Sequence, residues 1–486
     1  MNLQSTAARG LAYGVLRRIC CLAGRLYMPV HFCLIALLLA CNGGKEESTT
    51  SATSTGGETG VCSNSVPVVG GPCAPYGAIA TGAYHTCALI AGGNLRCWGR
   101  NDRGQLGLGN LERIGDDEVP NAVPPVDLGE AAIQVTAGYA HTCALTESGR
   151  VFCWGVGEFG ILGHGDTVDI GDDEVPASAG PVPLAANAIQ VAAGFFHTCA
   201  LVGGGSVYCW GVGQSGQLGT GSTENVGDDE TPASQDPIDL GGPAVYIASA
   251  EDHTCAVLEG GGVICWGLGE YGQLGQGNTE NVGDDETPGS VGPIDVGAAV
   301  ERVATGLGHS CALTVAGEVR CWGSNGDGAL GSGNGWVNIG DDETPSAVGA
   351  VSLGRLAVAV AAHSSRTCAL LDDGTLKCWG GNEFGQLGYG HVDDLGKDSV
   401  PSDFGPIDVG GATAQVAVGG NHTCALLTDG SVRCWGEAVH GALGYGNTLE
   451  GSPCKADVFD FICDVGAVCC IGDMPGEMPP SPVQYQ

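Results

Sequence analysis

The sequence predicts an all-β fold, a seven-bladed β-propeller with four-stranded blades, and three observations carry that prediction. One cysteine recurs as Cys87, Cys143, Cys199, Cys255, Cys311, Cys368 and Cys424, in steps of 56, 56, 56, 56, 57 and 56 residues. A fixed period of that length marks a repeat architecture. A second cysteine stands ten residues after each, as Cys97, Cys153, Cys209, Cys265, Cys321, Cys378 and Cys434, always followed by Trp-Gly. Inside each unit the apolar residues alternate over short runs broken by glycine, with no helical period, which is the content of a propeller blade.

One unit reads as four strands in order. Ile133-Gln134-Val135 alternates, Gly138 begins a break, and His141-Thr142-Cys143-Ala144-Leu145 and Val151-Phe152-Cys153-Trp154 follow. After a glycine-punctuated run from Gly155 to Gly165 and the acidic stretch Gly171-Asp172-Asp173-Glu174 comes a short fourth strand, Pro181-Val182-Pro183-Leu184. If Cys143 faces Cys153 in an antiparallel hairpin, the loop is Glu147-Ser148-Gly149. Such loops want a left-handed residue, usually Gly, in third place. The same arithmetic in the other units lands on Gly93, Gly205, Gly261, Gly317, Gly374 and Gly430. Opposed residues sit about 4.5–5.5 Å apart, within disulfide reach, so one disulfide per blade is expected. Buried free thiols are the alternative. A spacing of ten residues argues against zinc.

Six units carry the fourth segment: Val126-Asp127-Leu128, Val182-Pro183-Leu184, Ile238-Asp239-Leu240, Ile294-Asp295-Val296, Val351-Ser352-Leu353 and Ile407-Asp408-Val409. None is evident after Trp435, so Val66-Pro67-Val68-Val69, upstream of the first unit, is expected to complete the last blade and leave no exposed edge. Cys62, Cys73, Cys454, Cys463, Cys469 and Cys470 flank the ring and allow fifteen pairings. Pairing across the two flanks and pairing within each both remain open.

The segment before the ring reads as an address. Residues 1–40 carry Arg9, Arg17, Arg18 and Arg25, then the run from Phe32 to Ala40, which is too short to span a bilayer and fits a signal peptide. Leu38-Leu39-Ala40-Cys41 resembles a bacterial lipobox, which makes Cys41 the lipidated residue. Residues 41–61 are a polar tether, residues 62–453 the propeller, and residues 454–486 a cysteine-containing tail. The expected location is the cell envelope, lipid-anchored at the outer membrane or cell surface.

The 486 residues carry a net charge of −36, and without residues 1–40 the remaining 54 acids and 14 bases give −40. A polyanion of this size repels phosphate backbones and anionic lipid. No nucleic-acid partner is expected, and the membrane is met through the lipid alone. The 24 cysteines point to an oxidising compartment.

Residues that recur in every blade read as architecture. His85, His141, His197, His253, His309 and His422 share one slot and are read as structural, with a metal ring as the alternative. Trp98, Trp154, Trp210, Trp266, Trp322, Trp379 and Trp435 are read as interblade packing, with a sugar platform as the alternative. Departures from symmetry are the interface candidates: Arg366 in the histidine slot, and Trp336, outside the pattern. Gly-Asp-Asp-Glu recurs with Asp116 and Asp117, Asp172 and Asp173, Asp228 and Asp229, Asp284 and Asp285, and Asp341 and Asp342. These carboxylates suit calcium, although solvated loops would look the same. Either way they would make one face negative and favour a basic partner. No catalytic motif stands out, so no catalytic residue is assigned and no cofactor is required.

The units Gly138-Tyr139-Ala140-His141-Thr142-Cys143-Ala144-Leu145 and Gly216-Gln217-Leu218-Gly219 resemble the repeat of the regulator of chromosome condensation family, over residues 78–450. The resemblance implies that family's seven-bladed propeller. Its eukaryotic namesake is a guanine-nucleotide exchange factor on chromatin. An exported, acidic, cysteine-rich chain fits that role poorly, and a secreted β-lactamase-inhibiting propeller, which binds a protein across one face, is the closer functional model. The expectation is therefore a monomeric, non-catalytic binding protein with an unidentified protein partner. Carbohydrate or calcium binding is the alternative, and nucleotide exchange a remoter one.

Overall fold

A computed structural model describes residues 79–446, with residues 65–66, 74–75, 470–471, 478 and 482–486. Cys41, the signal and tether segments, and Cys62, Cys73, Cys454, Cys463 and Cys469 lie outside the described residues. Seven antiparallel sheets follow one another in chain order. In the second blade an inner strand, Ala132–Ala137, turns into a middle strand, His141–Thr146, which returns as an outer strand, Val151–Gly155.

The hairpin arithmetic holds. Cys143 faces Cys153, and the same opposition recurs in every blade. Each opposed pair is a disulfide with Cα atoms 4.0–4.1 Å apart. The third loop residue is left-handed throughout, from φ +73° at Gly93 to +87° at Gly205. In the second blade Gly149 N–H donates to Thr146 O at 2.9 Å, closing the loop.

The expected four-stranded blade is corrected: among the described residues six blades have three strands, and the segment expected as a fourth adds one bond to the outer strand. Val126 N–H donates to Leu95 O at 2.8 Å and Val182 N–H to Val151 O at 2.8 Å, one bond per blade. Asp127 then turns the chain away. Its carboxylate accepts from Gly129 N–H at 2.9 Å, and its carbonyl accepts from Ala177 N–H of the next blade at 3.0 Å. The segment is thus spent on joining blades rather than on extending a ladder.

Ring closure also differs from expectation. Among the described residues Ser65–Val66 pairs only with Ala74–Pro75, and Pro67, Val68 and Val69 lie outside them. The last blade is completed from the C-terminal side, where Val483 N–H donates to Val432 O at 2.8 Å and Asn121 N–H of the first blade donates to Gln484 O at 3.0 Å. Cys470–Ile471 pairs beside the seventh outer strand, Gly436 facing Ile471, as Gly155 faces Ile170 in the second blade. Residues 470–471 and 482–485, read from the sequence as tail, therefore belong to the seventh blade.

Blades are joined by residues at constant offset. Each core tryptophan is wholly buried, and its indole N–H donates to a carbonyl of the preceding blade: Trp154 to Gln105 at 3.0 Å, Trp210 to Ile161 at 2.9 Å, and Trp98 across the closure to Ala442 at 3.0 Å. Gln134 and Gln190 each clamp the next inner strand, Nε2 donating to Val191 O at 2.8 Å and Ile247 O at 2.7 Å. Gln415 does the same across the closure, to Ile79 O at 3.1 Å. The inner strands surround a central channel.

Candidate binding face and acidic rim

The histidine slot is architectural. His85 Nε2 lies 2.8 Å from Thr142 Oγ1, and His141, His197, His253, His309 and His422 meet Thr198, Thr254, Ser310, Thr367 and Thr86 at 2.8–3.0 Å. The Thr142 hydroxyl donates to Gln105 O at 2.8 Å. Its oxygen must therefore accept from His85, which fixes a neutral imidazole protonated at Nε2. Burial depresses these imidazoles to about 3 or 4. Their Nε2 atoms serve the joints between blades, so the metal-ring alternative has no lone pair at Nε2 to use.

Arg366, expected at a partner interface, is 2% exposed. Its guanidinium donates to Gly419 O at 2.6 Å and Gly420 O at 3.0 Å, so it replaces the histidine joint between the sixth and seventh blades. Burial lowers it to about 9. Trp336 is 68% exposed, and the Lys397 ammonium sits 2.9 Å from its ring centroid. Lys397 occupies the place where five other blades carry Asp-Asp-Glu.

In those five blades the carboxylates converge. Asp116, Asp117 and Glu118 offer oxygens within 4.8 Å of one another, as do Asp172, Asp173 and Glu174 and the triads ending at Glu230, Glu286 and Glu343. Burial, followed by the neighbouring aspartates, pushes Glu118 up to about 7 and raises the other four glutamates.

The face that sequence reading missed is built by the turns between inner and middle strands. These turns begin where the channel-lining strands end, so their first free position rings one channel mouth: Ala83, Tyr139, Phe195, Glu251, Leu307, Ser364 and Gly420. The turns hold one another, Phe195 N–H donating to Glu251 O at 3.3 Å and Leu307 N–H to Ser364 O at 2.9 Å. Aromatic rings run across the mouth: Tyr84 to Tyr139 at 6.3 Å, Tyr139 to Phe195 and to Phe196 at 5.5 Å, and Phe195 to His363 at 5.5 Å. Acids accompany them. Glu251 is 4% exposed and pushed up to about 8 by burial and then by Asp252. Burial also raises Asp252 and Glu437. The available signal was positional, because these are the two residues before each repeated histidine, the place where the units stop agreeing.

The model of the RCC1-like domain matches residues 54–333, and the RCC1 repeat matches residues 357–386, 373–426 and 414–442. The ultraviolet-B receptor UVR8 of Arabidopsis thaliana is 33% identical over 76% of this chain and 79% of its own. The mitochondrial RCC1 domain-containing protein RUG3 of the same plant is 30% identical over 67% of this chain and 70% of its own. The human E3 ubiquitin-protein ligase HERC2 is 30% identical over 70% of this chain, a match that occupies 7% of the ligase. Among solved structures, human WBSCR16 superposes with a TM-score of 0.56 at 23% identity, over 70% of this chain and 83% of that one. Prp20p of Saccharomyces cerevisiae, described with its binding to Gsp1p and histones, superposes with a TM-score of 0.54 at 24% identity, over 70% and 80%. At such identity the structures speak for the fold alone.

Proposed function

The chain belongs to the RCC1-like repeat family, and on that premise we propose that it is a non-catalytic binding protein whose partner, a protein, docks on the face formed by the turns before the repeated histidines. One observation carries this reading. The residues common to all blades are consumed inside the ring, whereas the residues that differ between blades gather on this face as an aromatic and acidic surface. Aromatic residues at such a surface are the usual anchors of a protein interface. The test replaces Tyr84, Tyr139 and Phe196 together by Ala and compares partner crosslinking with a control on the opposite hairpins, Glu147→Ala with Val315→Ala. The face variant should lose the crosslinked species with its melting temperature little changed. An unchanged crosslink, or its loss in the control, would sink the reading.

The setting belongs to the same proposal. Seven disulfides are bonds of an oxidising compartment, and the apolar run ending at Ala40-Cys41 supports a lipid anchor in the cell envelope. Metabolic labelling with palmitate should mark the chain and fail with Cys41→Ser.

Calcium binding at the rim is a second reading, favoured by the converging triads. Millimolar calcium should then raise the melting temperature. A flat response leaves the triads as solvated loops.

A further inference from the structure

Glu251 is an exception among the acids near this face. Asp169 meets Arg103 Nε at 2.7 Å, and the Glu437 carboxylate accepts from Asn421 Nδ2 at 2.9 Å. The Glu251 carboxylate is almost fully buried, yet among the described residues only burial and the charge of Asp252 act on it. A buried carboxylate without a donor is costly, on the order of a few kcal/mol, and nothing in the repeat requires it. The equivalent residues are Tyr139 one blade further back, Phe195 on one side and Leu307 on the other.

The surroundings define what would satisfy it. Phe195 shares its turn-to-turn bond with Glu251 at 3.3 Å and lies in the aromatic row that spans the mouth from Tyr84 to His363. A cation is the group that gains from both a carboxylate and aromatic faces. The row already receives one from within the chain, with the Arg100 guanidinium 5.8 Å from the Tyr84 centroid. The titratable group packed against the Glu251 turn is His197, whose ring meets the Glu251 backbone and is held neutral by burial, at about 4, and the other groups bring amides. Leu268 N–H donates to Asp252 O at 2.9 Å, and Gln217 Nε2 to Asp252 Oδ1 at 3.5 Å. Asp252 remains the charged neighbour and adds to the attraction.

We propose that the channel mouth at Glu251 receives a lysine or arginine side chain of the protein that docks on this face. The inference rests on the docking reading above and adds the chemistry of the partner. Because burial keeps the Glu251 carboxyl protonated near neutrality, taking up a cation releases its proton, and affinity rises with pH toward 8.

The probe is a fluorescent tetra-arginine peptide, with tetra-citrulline, which has the same shape without the charge, as control. It is titrated against the full chain at about 0.15 M salt, where rim charges are screened. Tetra-arginine should bind more tightly at pH 8 than at pH 6, and tetra-citrulline should not bind. Glu251→Gln should weaken tetra-arginine by about tenfold, the loss of roughly 1.4 kcal/mol, and flatten the pH dependence. The rim variant Asp172→Asn with Asp173→Asn should change neither. Equal binding by wild type and Glu251→Gln, binding of tetra-citrulline, or a loss confined to the rim variant would each overturn the cation site. If Glu251→Gln keeps the natural partner while the Tyr84, Tyr139 and Phe196 variant loses it, the face stands and the cation site falls. If both keep it, the docking reading falls first.

Discussion

The joints between blades and the channel mouth lie only a few residues apart along each turn, yet they obey opposite rules. At His141 the chain repeats itself and the bonds recur from blade to blade, with Nε2 on the Thr198 hydroxyl and that hydroxyl donating to Ile161 O at 3.3 Å. Two residues earlier, at Tyr139, Phe195 and Glu251, the units diverge, and among the described residues a buried carboxylate has no donor. The difference teaches where stability and recognition are kept apart. The joints can be symmetric because each blade needs the same neighbour. On the proposed reading a partner has no seven-fold symmetry, so its binding surface is built from what the blades do not share.

The largest test of the joints is acid. Free imidazole titrates near 6.5, and burial holds the six joint histidines near 3 or 4. Between those values the unfolded chain takes up protons that the folded ring refuses, so stability is lost as pH falls below 6.5. Each histidine contributes up to about 1.4 kcal/mol per pH unit. Glu251 acts in the other direction, as do Asp252, Glu437 and the five rim glutamates, but the rim groups are partly exposed and weigh less. The melting temperature should therefore fall steeply between pH 6.5 and 4.5, and a flat or rising curve would show that the joints are not held neutral. Next in size, Trp210→Ala removes a wholly buried ring and its bond to Ile161 O. It should cost about 3–5 kcal/mol in denaturant unfolding.

The mouth answers in the opposite sense. Glu251 has its folded value raised to about 8 against an ordinary 4.5, so its burden is absent in acid, grows as pH rises between those values and is complete above 8. Glu251→Gln removes the burden and should stabilise the ring, by up to about 3 kcal/mol at pH 7 and by little at pH 4.5. Destabilisation at pH 7 would mean that the carboxylate has a partner after all. Removing one blade disulfide, Cys199→Ala with Cys209→Ala, should cost about 2–3 kcal/mol because the closed loop is short.

Local features were legible in the sequence, and features that depend on a distant partner were not. Gly149 and its six counterparts follow from the facing of Cys143 and Cys153, because a hairpin fixes its own loop. The fourth strand was overread, since Val126 alternates like a strand and only the next blade shows that the Asp127 carbonyl is taken by Ala177. Ring closure was placed at Val66 because Pro482-Val483-Gln484-Tyr485 replaces the usual Asp-Leu pair and lies far beyond Trp435. Arg366 broke the pattern and so looked like an interface. The sequence does not show that its neighbours offer two carbonyls, which only a long cation can reach. Glu251 was one acid among 54, and nothing short of burial distinguishes it.

The smallest expected effect makes the sharpest comparison, because it sets one tryptophan against seven. Trp154 and its equivalents are wholly buried, and each donates to a neighbouring blade. Trp336 sits in the unit that carries the single extra residue of the array, 68% exposed, and touches Lys397 where the acidic rim is broken. An exposed cation–π pair contributes about 0.5–1 kcal/mol at most, and exposing the lysine to water returns part of that. Trp336→Ala should therefore shift stability by about 0.5 kcal/mol or less, against several for Trp210→Ala. A loss approaching the core value would make Trp336 a further joint, between the fifth and sixth blades. A negligible loss would leave its ring, like those of the channel mouth, as surface that the fold does not need for itself.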